Sequence, residues 1–472
     1  MASTHSAPRA DVPDPSPADR AGRIETRGID HIPESERHGR PRELFTVWAA
    51  ANVNYLSLVI GGSLVLLGLT LWQALAVIVV GNLFWFLVGL LAVSGPASGT
   101  PSEVVMRAMY GVRGNRVNIA ITGWATCICY VSLNLAAAAL AAFSLVQQAG
   151  VQPGTGLKIG IVAVIAAVTL AIGVYGHATI VKLYVPITVL LTAAFAVVAA
   201  SVVTHARWDY APDAPLHGTA LWTAVAAGIT LMASGPLSYT NSADFSRYLP
   251  ARTSPAAVVV WTGLGGFLPS VVVTFVGALA ATTVDMSDPQ AGLETILPGW
   301  FRPLFPLALV LGSIAINAMT TYSSGLALQA MGVRIRRSLS VLVDGVLGVA
   351  LTLYALLVSN FLDTVSNVLQ LTVVLLGPSM AIYGADILLR RNSYDGPALT
   401  GEAPGGPFWY TGGVNWAGAT ALVLGTGTAS LCVNTQLYTG PLARALGGVD
   451  LALPVGIVIA AAAYAILLRP RP

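Results

Sequence analysis

The side chains able to do chemistry in this sequence are amides, hydroxyls and a few carboxylates set inside long apolar runs. Asn52 and Asn54 lie two residues apart in FTVWAAANVNYLSL, and Tyr130 and Asn134 lie one helical turn apart in GWATCICYVSLNLAAAAL. Ser234, Gly235, Pro236 and Ser238 fall together in SGPLSYTNSADFSRYLP, while Asn317, Thr320 and Thr321 cluster in GSIAINAMTTYSSGLALQ. An amide both donates and accepts, and a tyrosine offers a flat apolar face, so Tyr130 and Asn134 would present an aromatic surface next to a hydrogen-bonding amide. Other chemistries find little support. Cys127, Cys129 and Cys432 fall inside apolar runs without metal or disulfide spacing and read as packing residues. The six histidines lie in the tail or in connecting loops, and no Gly-rich phosphate loop ending in Lys occurs. ATP-driven transport, intramembrane histidine catalysis and a resident cofactor are therefore not expected, and neither is enzyme activity.

The elements carrying these residues must be membrane helices. The 472 residues are 55% hydrophobic and only 10% charged, with a mean hydropathy of +0.73, whereas a soluble domain carries about 25% charged residues. Apolar stretches long enough for a hydrocarbon core of about 30 Å fall near 44–70, 72–93, 117–148, 157–176, 180–203, 219–240, 255–283, 302–331, 339–358, 361–389, 414–437 and 449–468. They predict an all-α polytopic membrane protein of twelve transmembrane helices. With the N-terminus inside, all of the 24 Lys and Arg residues except Lys158, Arg207, Arg302 and Arg444 fall on the inner side, as the positive-inside rule requires. Both termini are then cytoplasmic. The preference for arginine over lysine, with the wealth of Ala and Gly, suggests a bacterial plasma membrane. Residues 1–43, rich in Pro, Arg and acids and lacking an apolar signal-peptide core, read as a disordered cytoplasmic tail.

Backbone that leaves a helix at membrane depth survives only where protein encloses it or it lines a cavity. Gly235 and Pro236 predict a break in the sixth helix, for which a plain proline kink is the simpler reading. Asn52 and Asn54 point to nearly opposite faces of an ideal helix, and local unwinding would satisfy both. These two helices hold matching places if 44–203 and 219–390 are five-helix repeats, and interrupted helices at matching positions mark the binding site of a secondary transporter. Residues 391–413 form a cytoplasmic loop, and 414–472 hold two further helices and a short cytoplasmic end. The hydroxyls and amides of the third and eighth helices could also be interhelical glue.

These stretches, with RGIDHIPESERHGRPRELF and NFLDTVSNVLQLTVVLLGPSMAIYGADILLRR, resemble the signature regions of the nucleobase:cation symporter-1 family, in particular its purine–cytosine permease branch, over residues 24–392. The resemblance implies a five-plus-five inverted repeat with broken helices one and six and two additional C-terminal helices. It implies a heterocycle held between helices one, three, six and eight, stacked on Tyr130 or, in another register, Trp124. Asn134 takes the family's amide slot, Gly235 falls where an aromatic is usual, and Asn317 and Thr320 are the ring-edge candidates. Asn52, Asn54, Ser234 and Ser238 complete the expected site.

The hydroxyl pair that helps bind sodium in relatives falls at Ala315 and Ile316, so a proton is the favoured coupling ion, with sodium the alternative if Thr320 and Thr321 shift into those slots. Asp344, inside helix nine, could carry that proton or pair with a neighbouring polar group. Asp244 and Arg247, three residues apart, and Asp386 and Arg390, four apart, suggest ion pairs at helix ends. The expected function is cation-coupled uptake of a nucleobase-like heterocycle such as cytosine or a purine. Allantoin, hydantoins and vitamin precursors are alternative substrates, and a transport-deficient receptor is a second class of function. The expected partners are the small heterocycle and the lipid bilayer, with no nucleic acid and no bound metal beyond the coupling ion.

Overall fold

The computed structural model describes residues 20–286, 288–357, 361–435 and 437–468. In hydrocarbon an apolar run satisfies its own N–H and C=O groups only as a helix, and each predicted stretch contains one. Span one is Glu43–Asn52 followed by Tyr55–Leu66, bent by 58° at the junction. The next spans are Leu71–Ser98, Val112–Gln148, Thr155–Tyr175, His177–His205, Gly218–Leu237, Pro255–Ala280, Leu304–Ala330 and Arg337–Leu357, and span ten is Phe361–Leu389. Spans eleven and twelve, Trp416–Cys432 and Ala452–Leu467, have 17 and 16 residues. At about 1.5 Å per residue they fall somewhat short of a full hydrocarbon core. Among the described residues, nine continuous helices and the bent pair are long and apolar enough to cross, against twelve expected.

Span three lies along span eight, and span seven packs on spans one and two, while eleven and twelve pair with each other and dock on ten. The last two spans therefore sit outside the helices that surround the site. Span one is held where it breaks: a Cβ on Gly312 of span eight would come within 2.5 Å of the Val53 carbonyl oxygen, so only glycine allows this approach. Span six departs from expectation. Its helix continues through Gly235 and Pro236 to Leu237 and then gives way to turns and the single 3-10 turn Ser242–Phe245. The unwinding thus begins after the proline.

The tail also differs. From Arg20 onward it folds over one end of the bundle, with a 3-10 turn at Glu34–Glu36 and Glu25 and Ile32 buried. The expected disorder therefore does not extend over 20–42; the first nineteen residues lie outside the described part. The end covered by this segment is called the tail side below.

Candidate functional site

Where span one breaks, Asn52 and Asn54 repair the backbone. Asn52 Nδ2 donates to the Trp48 carbonyl at 2.8 Å and Asn54 Nδ2 to that of Ala51 at 2.7 Å. Asn54 Oδ1 accepts from the Ser57 N–H at 3.0 Å, capping the second half-helix. Both asparagines line a cavity of about 50 Å³ bounded also by Tyr130 and Asn134 of span three, Gly235, Pro236, Ser238 and Tyr239 at the end of span six, and Trp85 of span two. That is room for a few waters at roughly 10–15 Å³ each, so a ring can enter only if the walls move apart.

A smaller adjoining space is walled by Tyr130, Asn134, Ser238, Tyr239, Asn241 and Thr320, among others. Asn134 Nδ2 and Asn241 Oδ1 are buried there without a hydrogen-bond partner among the described residues. A buried amide atom left unpaired costs about 1–3 kcal/mol, so these two amides have bonding capacity to give a ligand. Gly235 leaves open space: a Cβ at this position would find nothing within 4 Å among the described residues. The aromatic face missing at Gly235 is supplied by neighbours. Tyr239 and Trp85 rings lie 5.5 Å apart, and Trp48 meets Tyr239 edge-on at 4.9 Å.

The two aromatic candidates of span three are separated by their surroundings. Tyr130 faces the cavity, with its hydroxyl donating to the Ser234 carbonyl at 3.3 Å and lying 3.4 Å from Thr372 Oγ1. Trp124, in a π-helical segment, donates through Nε1 to Asp344 Oδ1 at 2.6 Å and is absent from the cavity wall. Asp344 Oδ2 is buried and has no hydrogen-bond partner among the described residues. Ser234 is buried behind the wall, its hydroxyl donating to the Leu231 carbonyl at 2.6 Å. Ser238 and Thr320 reach the cavity but donate to the Gly235 and Ile316 carbonyls.

Asn317 does not reach the cavity. Its Nδ2 donates to the Val131 carbonyl of span three at 3.0 Å, and Ile316 and Thr320 form the wall instead. The expected Asp244–Arg247 pair is also replaced. Asp244 accepts from the Ser102 N–H at 2.9 Å and the Ser323 hydroxyl at 2.6 Å, while Arg247 pairs with Glu25 at 2.9 Å. Asp386 and Arg390 do pair, at 2.7 Å. Sequence alone did not single out Trp85, Tyr239 or Glu25, and it marked Asn241 as a polar residue after the Gly-Pro pair without placing it in the expected site. The aromatics resemble core residues in an apolar run, whereas Asn241, following the Gly-Pro pair, was a visible polar signal.

A bundle with one span broken and another unwound around a buried cavity of amides and aromatics is the architecture of a membrane transporter. This chain belongs to the family described as permeases for cytosine/purines, uracil, thiamine and allantoin, whose model matches residues 31–456. It is 28% identical over 460 residues to the putative purine-cytosine permease YxlA of Bacillus subtilis (strain 168), covering 95% of this chain and 97% of that one. The nucleobase-cation-symport-1 family transporter Mhp1, solved in a closed conformation with bromovinylhydantoin bound, superposes with a TM-score of 0.76 at 17% identity, covering 93% of this chain and 94% of that one. Inward-facing Mhp1 gives 0.67, also at 17% identity, covering 95% and 100%. The family is one of permeases, and the Mhp1-like transporter fold agrees with the inverted-repeat reading.

Proposed function

We propose that this permease carries a nucleobase or nucleobase-like heterocycle into the cell by proton-coupled alternating access, in a bacterial plasma membrane with the tail side cytoplasmic. The observation that carries the reading is the pair of unpartnered amides, Asn134 and Asn241, beside Tyr130, Tyr239 and Trp85. A planar ring with donors and acceptors along its edge satisfies both requirements at once. The relatives agree in chemistry, one being called a purine-cytosine permease and another having bound a substituted hydantoin.

Proton coupling is supported by the spans themselves. Ala315 and Ile316 offer no side-chain oxygen, and the Ala315 carbonyl already accepts from the Tyr184 hydroxyl. Asp344, with one oxygen held by Trp124 and the other unpartnered, is the carboxyl inside a span best suited to carry a proton. The test is counterflow in proteoliposomes with labelled cytosine, purines, allantoin, hydantoins and pyrimidine vitamin precursors. Saturable exchange of one of them is expected. Binding without exchange would favour the receptor reading, and neither would sink both.

A further inference from the structure

A second carboxyl pair lies away from the substrate cavity, between the tail-side ends of spans two, three and six. Glu103 sits on the short helical segment Ser102–Val105 that joins spans two and three, and only 2% of it is exposed. The segment is fixed by the Asn115 amide, which donates to the Glu103 carbonyl at 2.6 Å. The carboxyl itself is poorly provided for. Its polar neighbours are its own backbone N–H and the carboxyl of Asp244, which sits on the turn bonded to the adjoining Ser102, and Oε2 has no donor among the described residues.

Asp244 has the opposite environment. It is fully buried on the turn after span six, and its two oxygens accept from the Ser102 N–H and the Ser323 hydroxyl. Two bare carboxylates side by side in a buried site are not tolerated, and the member with more donors keeps the charge. Asp244 is therefore the anion and Glu103 the acid that donates to it. Burial and the Asp244 charge hold the Glu103 carboxyl well above the usual carboxylate range.

Other ionisable groups nearby do not replace that proton. Arg247 is engaged by Glu25, and Arg107, on the next turn, pairs with Glu402 at 2.6 Å. The Tyr322 hydroxyl donates to Glu25, that of Tyr383 is paired with Ser94, and the Cys127 thiol is buried.

We propose that Glu103 and Asp244 together hold one proton while the tail-side end is closed, and release it to water on that side when the end opens. The linkage is mechanical. Ser102 ties the segment between spans two and three to the turn after span six twice, through its N–H to Asp244 and through its hydroxyl, which accepts from the Ala243 N–H at 3.0 Å. Asn241, three residues before Asp244, lines the substrate cavity. Parting these segments would separate the carboxyls and hydrate Glu103, removing both causes of its proton retention. Asp344, bonded to Trp124 on other spans, is a distinct site.

The proposal rests on the reading of the chain as a proton-coupled permease, and its test separates the two. Full-length protein in liposomes is examined by infrared difference spectroscopy across neutral pH. The wild type should show a protonated-carboxyl C=O band that is missing in Glu103→Gln. Asp244→Asn, which removes the neighbouring negative charge, should shift the loss of that band to lower pH. For each proton carried with the substrate, a gradient of about one pH unit supports about tenfold accumulation, and Glu103→Gln should lose the tenfold carried by this pair relative to its own exchange rate. An unchanged band in Glu103→Gln, or undiminished pH-driven accumulation, would overturn the proton site. Absence of any heterocycle exchange by the wild type would sink the permease reading while leaving the infrared result to decide the carboxyl pair.

Discussion

Glu25 and Arg247, 222 residues apart in the chain, meet at 2.9 Å with both side chains fully withdrawn from solvent. The same carboxylate accepts from the hydroxyls of Tyr248 at 2.7 Å and Tyr322 at 3.2 Å and from the His177 N–H at 2.9 Å. A single tail residue thereby ties the start of span five, the turn after span six and the middle of span eight. Removing one partner of a buried ion pair strands the other charge, at a cost of about 3–5 kcal/mol. Glu25→Ala is expected to lower the melting temperature in detergent and to free residues 20–42 for limited proteolysis. An unchanged melting temperature with a protected tail would show that the pair does not hold this end shut.

Gly235 offers the cleanest test of the cavity. Because a Cβ there would have no neighbour within 4 Å, Gly235→Ala should be accepted and should stabilise the helix end by up to about 1 kcal/mol. Gly235→Phe should instead overfill the space of about 50 Å³, prop its walls apart and abolish substrate binding. Binding measured by thermal shift with a transported heterocycle distinguishes the outcomes, and undiminished affinity in Gly235→Phe would remove this cavity from the substrate path.

Tyr130 carries a face and a hydroxyl, and its substitutions separate them. Tyr130→Phe loses only the long contacts to Ser234 and Thr372, so it should change affinity by no more than a few-fold. Tyr130→Ala removes the face, and loss of an aromatic partner worth about 0.5–1.5 kcal/mol beyond its buried area should weaken binding by at least about tenfold. Trp124→Phe is the contrast. It breaks the bond to Asp344 and should disturb coupling before affinity, and strong loss of affinity in Trp124→Phe alone would return the stacking role to Trp124.

The break in span one was legible because membrane backbone has few ways to leave a helix. Asn52 and Asn54, on opposite faces, are most easily both satisfied by local unwinding, and the structure bends span one there. Side-chain direction was harder to read. One residue turns a helix face by about 100°, enough to turn Asn317 onto Val131 and leave Ile316 and Thr320 at the cavity. Glu25 could not be read locally, since its neighbours in sequence are polar and loop-like and every side chain that holds it comes from distant spans. For the same reason Arg247 looked like the natural partner of Asp244, three residues away.

The raised Glu103 carboxyl also fixes a sign for stability against pH. A carboxyl that binds its proton more tightly when folded contributes fully below its unfolded range, and that contribution is lost as pH rises through the folded value. The melting temperature of the wild type should therefore fall toward alkaline pH, and Glu103→Gln should flatten the dependence. A wild-type curve that rises over that range, or the same slope in the variant, would contradict a buried neutral Glu103.

The coupling ion is tested most directly through Asp344. Its Oδ1 accepts from Trp124 and its Oδ2 is unpartnered, so Asp344→Asn can keep the bond to the indole through the amide oxygen while giving up the ionisable group. Loss of packing is thus separated from loss of the proton. Uptake by the wild type should respond to an imposed inward proton gradient and change little when choline replaces sodium, because Ala315 and Ile316 bring no side-chain oxygen and the Ala315 carbonyl is already engaged by Tyr184. In Asp344→Asn, concentrative uptake should fall by the roughly tenfold per pH unit that its proton contributes while counterflow partly survives, since exchange uses the cavity but needs no completed proton cycle. Strict sodium dependence with no response to the pH gradient would refute proton coupling and direct attention to Thr320 and Thr321, whose hydroxyls now donate to the carbonyls of Ile316 and Asn317 and would have to turn to hold a cation.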